Sequence, residues 1–215
     1  LYARRQRQMC IRDSLSSVGI NFFGSDPISA GFGLFNAGGI IFMIIGIGLS
    51  KMLADKYGKR NVFGVFLFIS TLFILVFYVL SPDSINLIFG AQIFHGFFYG
   101  ITIPLLWAMI ADVADYSEWK NNRRATAIIF SAMMVGLKLG LSIGGALVAS
   151  ILGSYGYVPN SVGEQTESAI LGTKMLVSIF PSIPFLVAAA LLFFYIIDKK
   201  MEEKIEQDLL KKRKS

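Results

Sequence analysis

From Ala125 to Gly153 the chain carries a single ionisable side chain, Lys138, close to the midpoint of an otherwise apolar run. A helix of that length crosses a hydrocarbon layer of about 30 Å, and a lysine stem of about 6 Å cannot lift its ammonium roughly 15 Å to either interface. The charge must therefore meet a polar cavity or a buried partner, since a lone ammonium among acyl chains is costly. At about 100° per residue, Ser131, Met134, Ser142 and Gly145 share the side of Lys138. Gly136, Gly140 and Gly144 lie roughly opposite, at the four-residue spacing that lets membrane helices approach backbone to backbone. The pattern predicts one wet face and one packing face. A lysine paired structurally inside a bundle is the plainer alternative.

The run has company. Of 215 residues, 54% are hydrophobic and 16% charged, with mean hydropathy +0.62. The apolar residues come in stretches about as long as a bilayer is thick, which predicts an all-α polytopic membrane protein in contact with a lipid bilayer. The formal charge of +6 does not point to nucleic acid, because the basic residues sit in short links and in the tail. There they orient helices and meet anionic headgroups. Cys10 is the single cysteine, which excludes an internal disulfide and gives no zinc-type cluster.

Residues 1–14, LYARRQRQMCIRDS, are basic and lack the apolar core of a signal peptide. They resemble translated sequencing-adapter read-through and are set aside as non-native. Residues 15–27 read as the end of a truncated helix. Complete spans are expected near 28–50, 62–80, 84–111, 125–153 and 169–197, with Pro181 and Pro184 kinking the last. A tail, 198–215, follows, with Met201, Ile205 and Leu209 on one face suited to the inner membrane surface. Lys51, Lys56, Lys59 and Arg60 occupy one link and Lys120, Arg123 and Arg124 a link two spans later, whereas the alternate links at Asp83 and at Glu164 with Glu167 hold no lysine or arginine. The basic links and the carboxy terminus are thus expected in the cytoplasm.

Two further groups could carry chemistry. Gln92, His95, Tyr99 and Thr102 fall within about 80° on a helical projection, with Trp107 near that sector. Aromatic and hydrogen-bonding groups together suit a sugar, although such residues also satisfy one another between helices. The connector DVADYSEWKNNRR sets Asp112, Asp115 and Glu118 beside Lys120, Arg123 and Arg124. Its carboxylates line one side of a helical end, where ion pairs with another helix could close the mouth of a cavity. A solvated, topology-setting loop is the bland alternative. Asp112 and Asp115 could instead ligate magnesium in a membrane-embedded phosphotransferase, but a two-metal site needs more carboxylates and Ala125–Gly153 holds none. An ion channel is a third class.

The residues also carry a resemblance. LADKYGKR, Leu53–Arg60, resembles the loop signature of major facilitator transporters, with Lys51 where its first glycine is usual. WAMIADVADYSEWK, Arg124, Lys138 and GYVPN from Gly156 together resemble the glycoside-pentoside-hexuronide:cation symporters. That resemblance covers roughly Leu15 to Ile197 and implies the carboxy-terminal half of a twelve-helix transporter, a six-helix bundle with its first helix truncated. It implies a sugar or glycoside site between the halves, coupling to Na+, H+ or Li+, and a bacterial cytoplasmic membrane. No cofactor is expected, and the coupling cation is expected to be bound mainly by the amino-terminal half. Lys138 matches the family's central lysine, and together with His95, Tyr99, Trp107 and Ser142 of the polar faces read above it makes up the expected substrate and coupling residues. Asp112, Asp115, Glu118, Lys120 and Arg124, with Asp55 of the loop signature, are the implied gate. The sugar, the ion and the oligomeric state stay open.

Overall fold

The computed structural model describes residues 27–81, 84–158 and 165–214. The expected non-native segment and helix stub, the turn at Pro82 and Asp83, Glu164, and Pro159 and Asn160 of GYVPN lie outside these. Seven α-helices follow in order: α1 Pro27–Tyr57, α2 Lys59–Val79, α3 Ile85–Asn121, α4 Thr126–Ser154, α5 Glu167–Val177, α6 Ile179–Leu191 and α7 Lys199–Lys214, with a 3₁₀ turn at Leu192–Phe194. Among the described residues, five helical stretches are long and apolar enough to cross a membrane: α1, α2, α3, α4, and α5 with α6 taken together.

The helices outrun the apolar runs that nucleate them. α1 continues past Ser50 to Tyr57, so the link to α2 shrinks to Gly58. Gly58 has φ 85°, a left-handed conformation, and a Cβ there would come within 3.2 Å of Lys199 Cβ. Only glycine turns the chain so tightly at low cost. The charged connector expected after Ala111 is likewise helical to Asn121, where Asn122 at φ 53° ends α3. With 37 residues, α3 is about 55 Å long, far more than the apolar layer needs. Its charged end therefore projects beyond the apolar part of the bundle.

The core sits where α1, α2 and α3 meet. Ile101, Leu105 and Met109 of α3 pack with Val62, Phe63 and Leu67 of α2 and Ala54 of α1. α1 and α3 cross with no side chain between them: a Cβ on Gly96 would lie 2.3 Å from the Gly39 carbonyl oxygen, and one on Gly100 would lie 2.2 Å from that of Met43. Such contact, possible only where the α3 residue is glycine, brings dispersion and weak hydrogen bonding where lipid offers no hydrophobic drive. Between α2 and α3 the rings of Phe73, Phe94 and Phe98 stack at 5.5–6.4 Å.

The last span breaks, as its prolines predict, between α5 and α6 at Ser178. Pro181 has no N–H for the Val177 carbonyl and its ring crowds that oxygen. Serine hydroxyls bridge the gap: Ser178 Oγ donates to Lys174 O and Ser182 Oγ to Ser178 O, both at 2.6 Å.

α4 is different. None of its residues is buried, and its glycines Gly136, Gly140 and Gly144 have nothing within 4 Å. Of the two faces expected on this helix, the glycine face meets no helix among the described residues. α4 is held at its ends: Tyr155 lies over Gly172 of α5 and its hydroxyl reaches Met175 Sδ at 3.5 Å.

Candidate functional site

Where α1 turns into α2 and the end of α3 projects, charged residues from three elements converge. Gly58 delivers Lys59 to the start of α2, and its Nζ donates to both carboxylate oxygens of Asp112 at 2.8 and 2.9 Å. The same ammonium lies 2.8 Å from Glu202 Oε1, in the first turn of α7, where an acidic side chain also suits the helix dipole. Lys59 and Asp112 keep 23% and 14% of their side-chain exposure, so water screens this pair less than a surface pair. Tyr195, in the link to α7, donates to the Met109 carbonyl at 3.2 Å. Burial, with the carboxylates of Asp112 and Glu202 nearby, pushes its phenol well above its ordinary value and keeps it a donor.

α7 clamps this end. Ile197, Ile205 and Leu209 are buried against Val113, Tyr116 and Trp119, with Met201 packed alongside. The apolar face expected on the membrane surface instead covers the end of α3. Trp119 Nε1 donates to Asp208 Oδ2 at 3.0 Å, Lys212 Nζ donates to Asn122, and Lys199 Nζ reaches the Asp55 carbonyl at 2.6 Å. A cavity of about 410 Å³ remains between them, lined by Lys59, Asp112, Asp115, Glu202 and Glu206 among others.

The expected gate residues divide. Asp112 pairs across helices. Asp115 and Glu118 lie 3.6 Å from Arg124, just past the end of their own helix, in long pairs with an exposed guanidinium that carry little energetic weight. Lys120 donates to the Tyr116 hydroxyl at 3.3 Å and sits over that ring. Asp55 is exposed and contributes its carbonyl, not its carboxylate. Lys59, Glu202 and Tyr195 were missed as site residues. For Lys59 a signal existed, a cation held directly after an obligatory glycine; nothing in the tail singled out Glu202 from its neighbours.

Midway along the spans the expected substrate residues are not gathered. His95 Nδ1 lies 2.9 Å from Ser70 Oγ of α2 and its ring stacks on Tyr99 at 5.7 Å. Tyr99 in turn meets Phe185 of α6 at 5.9 Å. Gln92 rests on Gly39 of α1, and the Thr102 hydroxyl returns to the Tyr99 carbonyl at 2.7 Å. Trp107 is 40% exposed on α3. Lys138 and Ser142 are exposed on α4, and neither bonds to His95, Tyr99 or Trp107.

Magnesium chemistry at Asp112 and Asp115 has little to stand on, since Lys59 occupies both oxygens of Asp112. The fold and the composition of its helices define a multi-pass α-helical membrane protein. The profile of the family described as MFS/sugar transport protein matches residues 18–199, and the chain belongs to that family of transporters rather than to an enzyme class. It is 35% identical over 73% of its length to a 29.9 kDa protein of uncharacterised function from Pseudescherichia vulneris, covering 57% of that protein. It is 32% identical to an inner membrane symporter of Escherichia coli strain K12, over 68% of this chain and 32% of that one. To an isoprimeverose transporter of Lactiplantibacillus pentosus it is 30% identical, over 92% of this chain and 41% of that one. The chain thus spans about a third to three fifths of the length of these relatives.

Proposed function

We propose that the chain is the carboxy-terminal half of a sugar:cation symporter that works by alternating access in a bacterial inner membrane, with its basic end in the cytoplasm. Lys138 carries this reading. An ammonium at mid-helix, on a helix with no buried residue, is stable in a bilayer only if further protein closes a polar cavity over it. The chain covers 41% and 32% of two relatives, which leaves room in the whole transporter for that further protein, read here as the amino-terminal half. The names of the relatives, an inner membrane symporter and an isoprimeverose transporter, support the sugar and the coupled ion.

In this mechanism Lys138 pairs with a carboxylate of the other half and hydrogen-bonds sugar hydroxyls. Occupancy by sugar and by Na+, H+ or Li+ then biases one shared conformational equilibrium. Ser142, one turn on, adds a hydroxyl, and Trp107 offers an aromatic face to the sugar ring. His95 and Tyr99, engaged by Ser70 and Phe185, hold α3 against α2 and α6. At the other end, the Lys59, Asp112 and Glu202 cluster with Asp115, Glu118 and Arg124 forms the gate, whose pairs break and hydrate as the mouth opens.

The test uses the complete transporter in membrane vesicles. Lys138→Met is expected to abolish ion-gradient-driven sugar uptake while the protein still inserts at normal levels. Wild-type accumulation by that variant would overturn the reading, and ion current without sugar would mark a channel.

A further inference from the structure

A groove of about 610 Å³ runs between α2 and α6. Its walls are Gly64, Val65, Phe68, Ile69, Leu186 and Ala190, and one end is closed by Arg60. Val65, Phe68 and Phe193 along it are 55%, 48% and 81% exposed. Arg60 is held in place: its Nε donates to the Leu192 carbonyl at 3.1 Å and its Nη2 to the Phe193 carbonyl at 3.2 Å. Both carbonyls lie in the last turn of the span, where helix ends leave acceptors to be satisfied, and the Leu192 oxygen also accepts from the Tyr195 N–H at 3.1 Å. The anchoring uses one edge of the guanidinium. The Nη1 edge has no partner among the described residues, and it has the planar two-donor geometry that matches a phosphate.

The register fits a lipid. Arg60 and Ile69 are nine residues apart on one helix, about 14 Å of rise, close to the depth of one leaflet of a hydrocarbon core of about 30 Å. Gly64 keeps the groove open beside the Leu192 methyl, 3.2 Å from where its Cβ would be. We propose that this groove binds an anionic phospholipid, its phosphodiester on the outer edge of the Arg60 guanidinium and one acyl chain laid along α2 and α6. This site is independent of the sugar and the coupling ion. It ties the start of α2 to the end of α6 through one fixed side chain that also holds the lipid.

The experiment is native mass spectrometry of the complete transporter released from vesicles holding equal amounts of phosphatidylglycerol and phosphatidylcholine. Wild type is expected to retain phosphatidylglycerol over phosphatidylcholine by about fivefold, the weight of one well-placed cation at a membrane surface. Arg60→Gln should remove the preference. Ala190→Trp leaves the Arg60 anchor intact but fills the groove, and should lower retention of both lipids. Equal retention by wild type would overturn the proposal. So would a preference unchanged in Arg60→Gln, or retention of both lipids unchanged by Ala190→Trp, which would reduce the contact to loose surface attraction. A dimer peak that excludes lipid would assign the groove to a second copy of the chain instead.

Discussion

α3 and α4 are both long, apolar and studded with glycine, yet one has eight buried residues and the other has none. Hydropathy does not separate them, because in a bilayer lipid and protein interior are equally apolar. What separates them is reciprocity. Gly96 and Gly100 of α3 face Gly39 and Met43 of α1, with Gly46 of α1 set against the Phe97 carbonyl, so small residues answer one another on both sides. Gly136, Gly140 and Gly144 of α4 have the right spacing and no counterpart within 4 Å. A small-residue stripe is half of an instruction; the other half has to come from a second helix. For α4 that second helix is, on the reading given above, supplied by the rest of the transporter.

The comparison can be broken in several ways, the most damaging first. Gly100→Leu should force α1 and α3 apart, since even its Cβ would meet the Met43 carbonyl at 2.2 Å. Loss of the cooperative melt of the chain in detergent is expected, whereas Gly140→Leu should leave that melt unchanged. Breaking the partly buried pair comes next. Lys59→Met strips the partner from Asp112, which keeps 14% side-chain exposure, and should cost about 1–3 kcal/mol. Arg124→Gln, which removes long pairs at 3.6 Å made by an exposed guanidinium, should cost no more than about 1 kcal/mol by the same denaturation. Ile205→Ala should loosen α7 by about 2 kcal/mol, read as faster amide exchange in residues 199–214. Ser70→Ala, which leaves His95 one hydrogen bond short within the bundle, should lower stability by about 1 kcal/mol.

Much of the architecture was legible because each span announces itself by length and apolarity. The break in the last span was legible too, since Pro181 states where a backbone bond must fail. The reach of the helices was not: past Ser50 and past Ala111 the side chains turn polar while the backbone stays helical, and only Gly58 and Asn122 mark the true ends. The site was legible in pieces. Asp112 stood out by its charge, but its partners Lys59 and Glu202 come from elements far away in the chain. The face of Met201, Ile205 and Leu209 was plain, yet amphipathicity names no partner. A membrane surface and the end of α3 satisfy it equally, and α3 wins through Trp119 and Tyr195, whose polar atoms find Asp208 and the Met109 carbonyl. The polar stripe of His95 and Tyr99 looked like one surface in projection, but three different helices pack against it.

The central claim is that Lys138 faces a water-filled cavity that only the whole transporter encloses. The direct measurement is thiol labelling of Lys138→Cys and Leu139→Cys in an otherwise cysteine-free version of the complete transporter, by a water-soluble maleimide. The account predicts that position 138 is modified and is protected by the transported sugar, while position 139 stays inert in the lipid. Equal inertness at both positions, or labelling at 138 that no sugar changes, would contradict it.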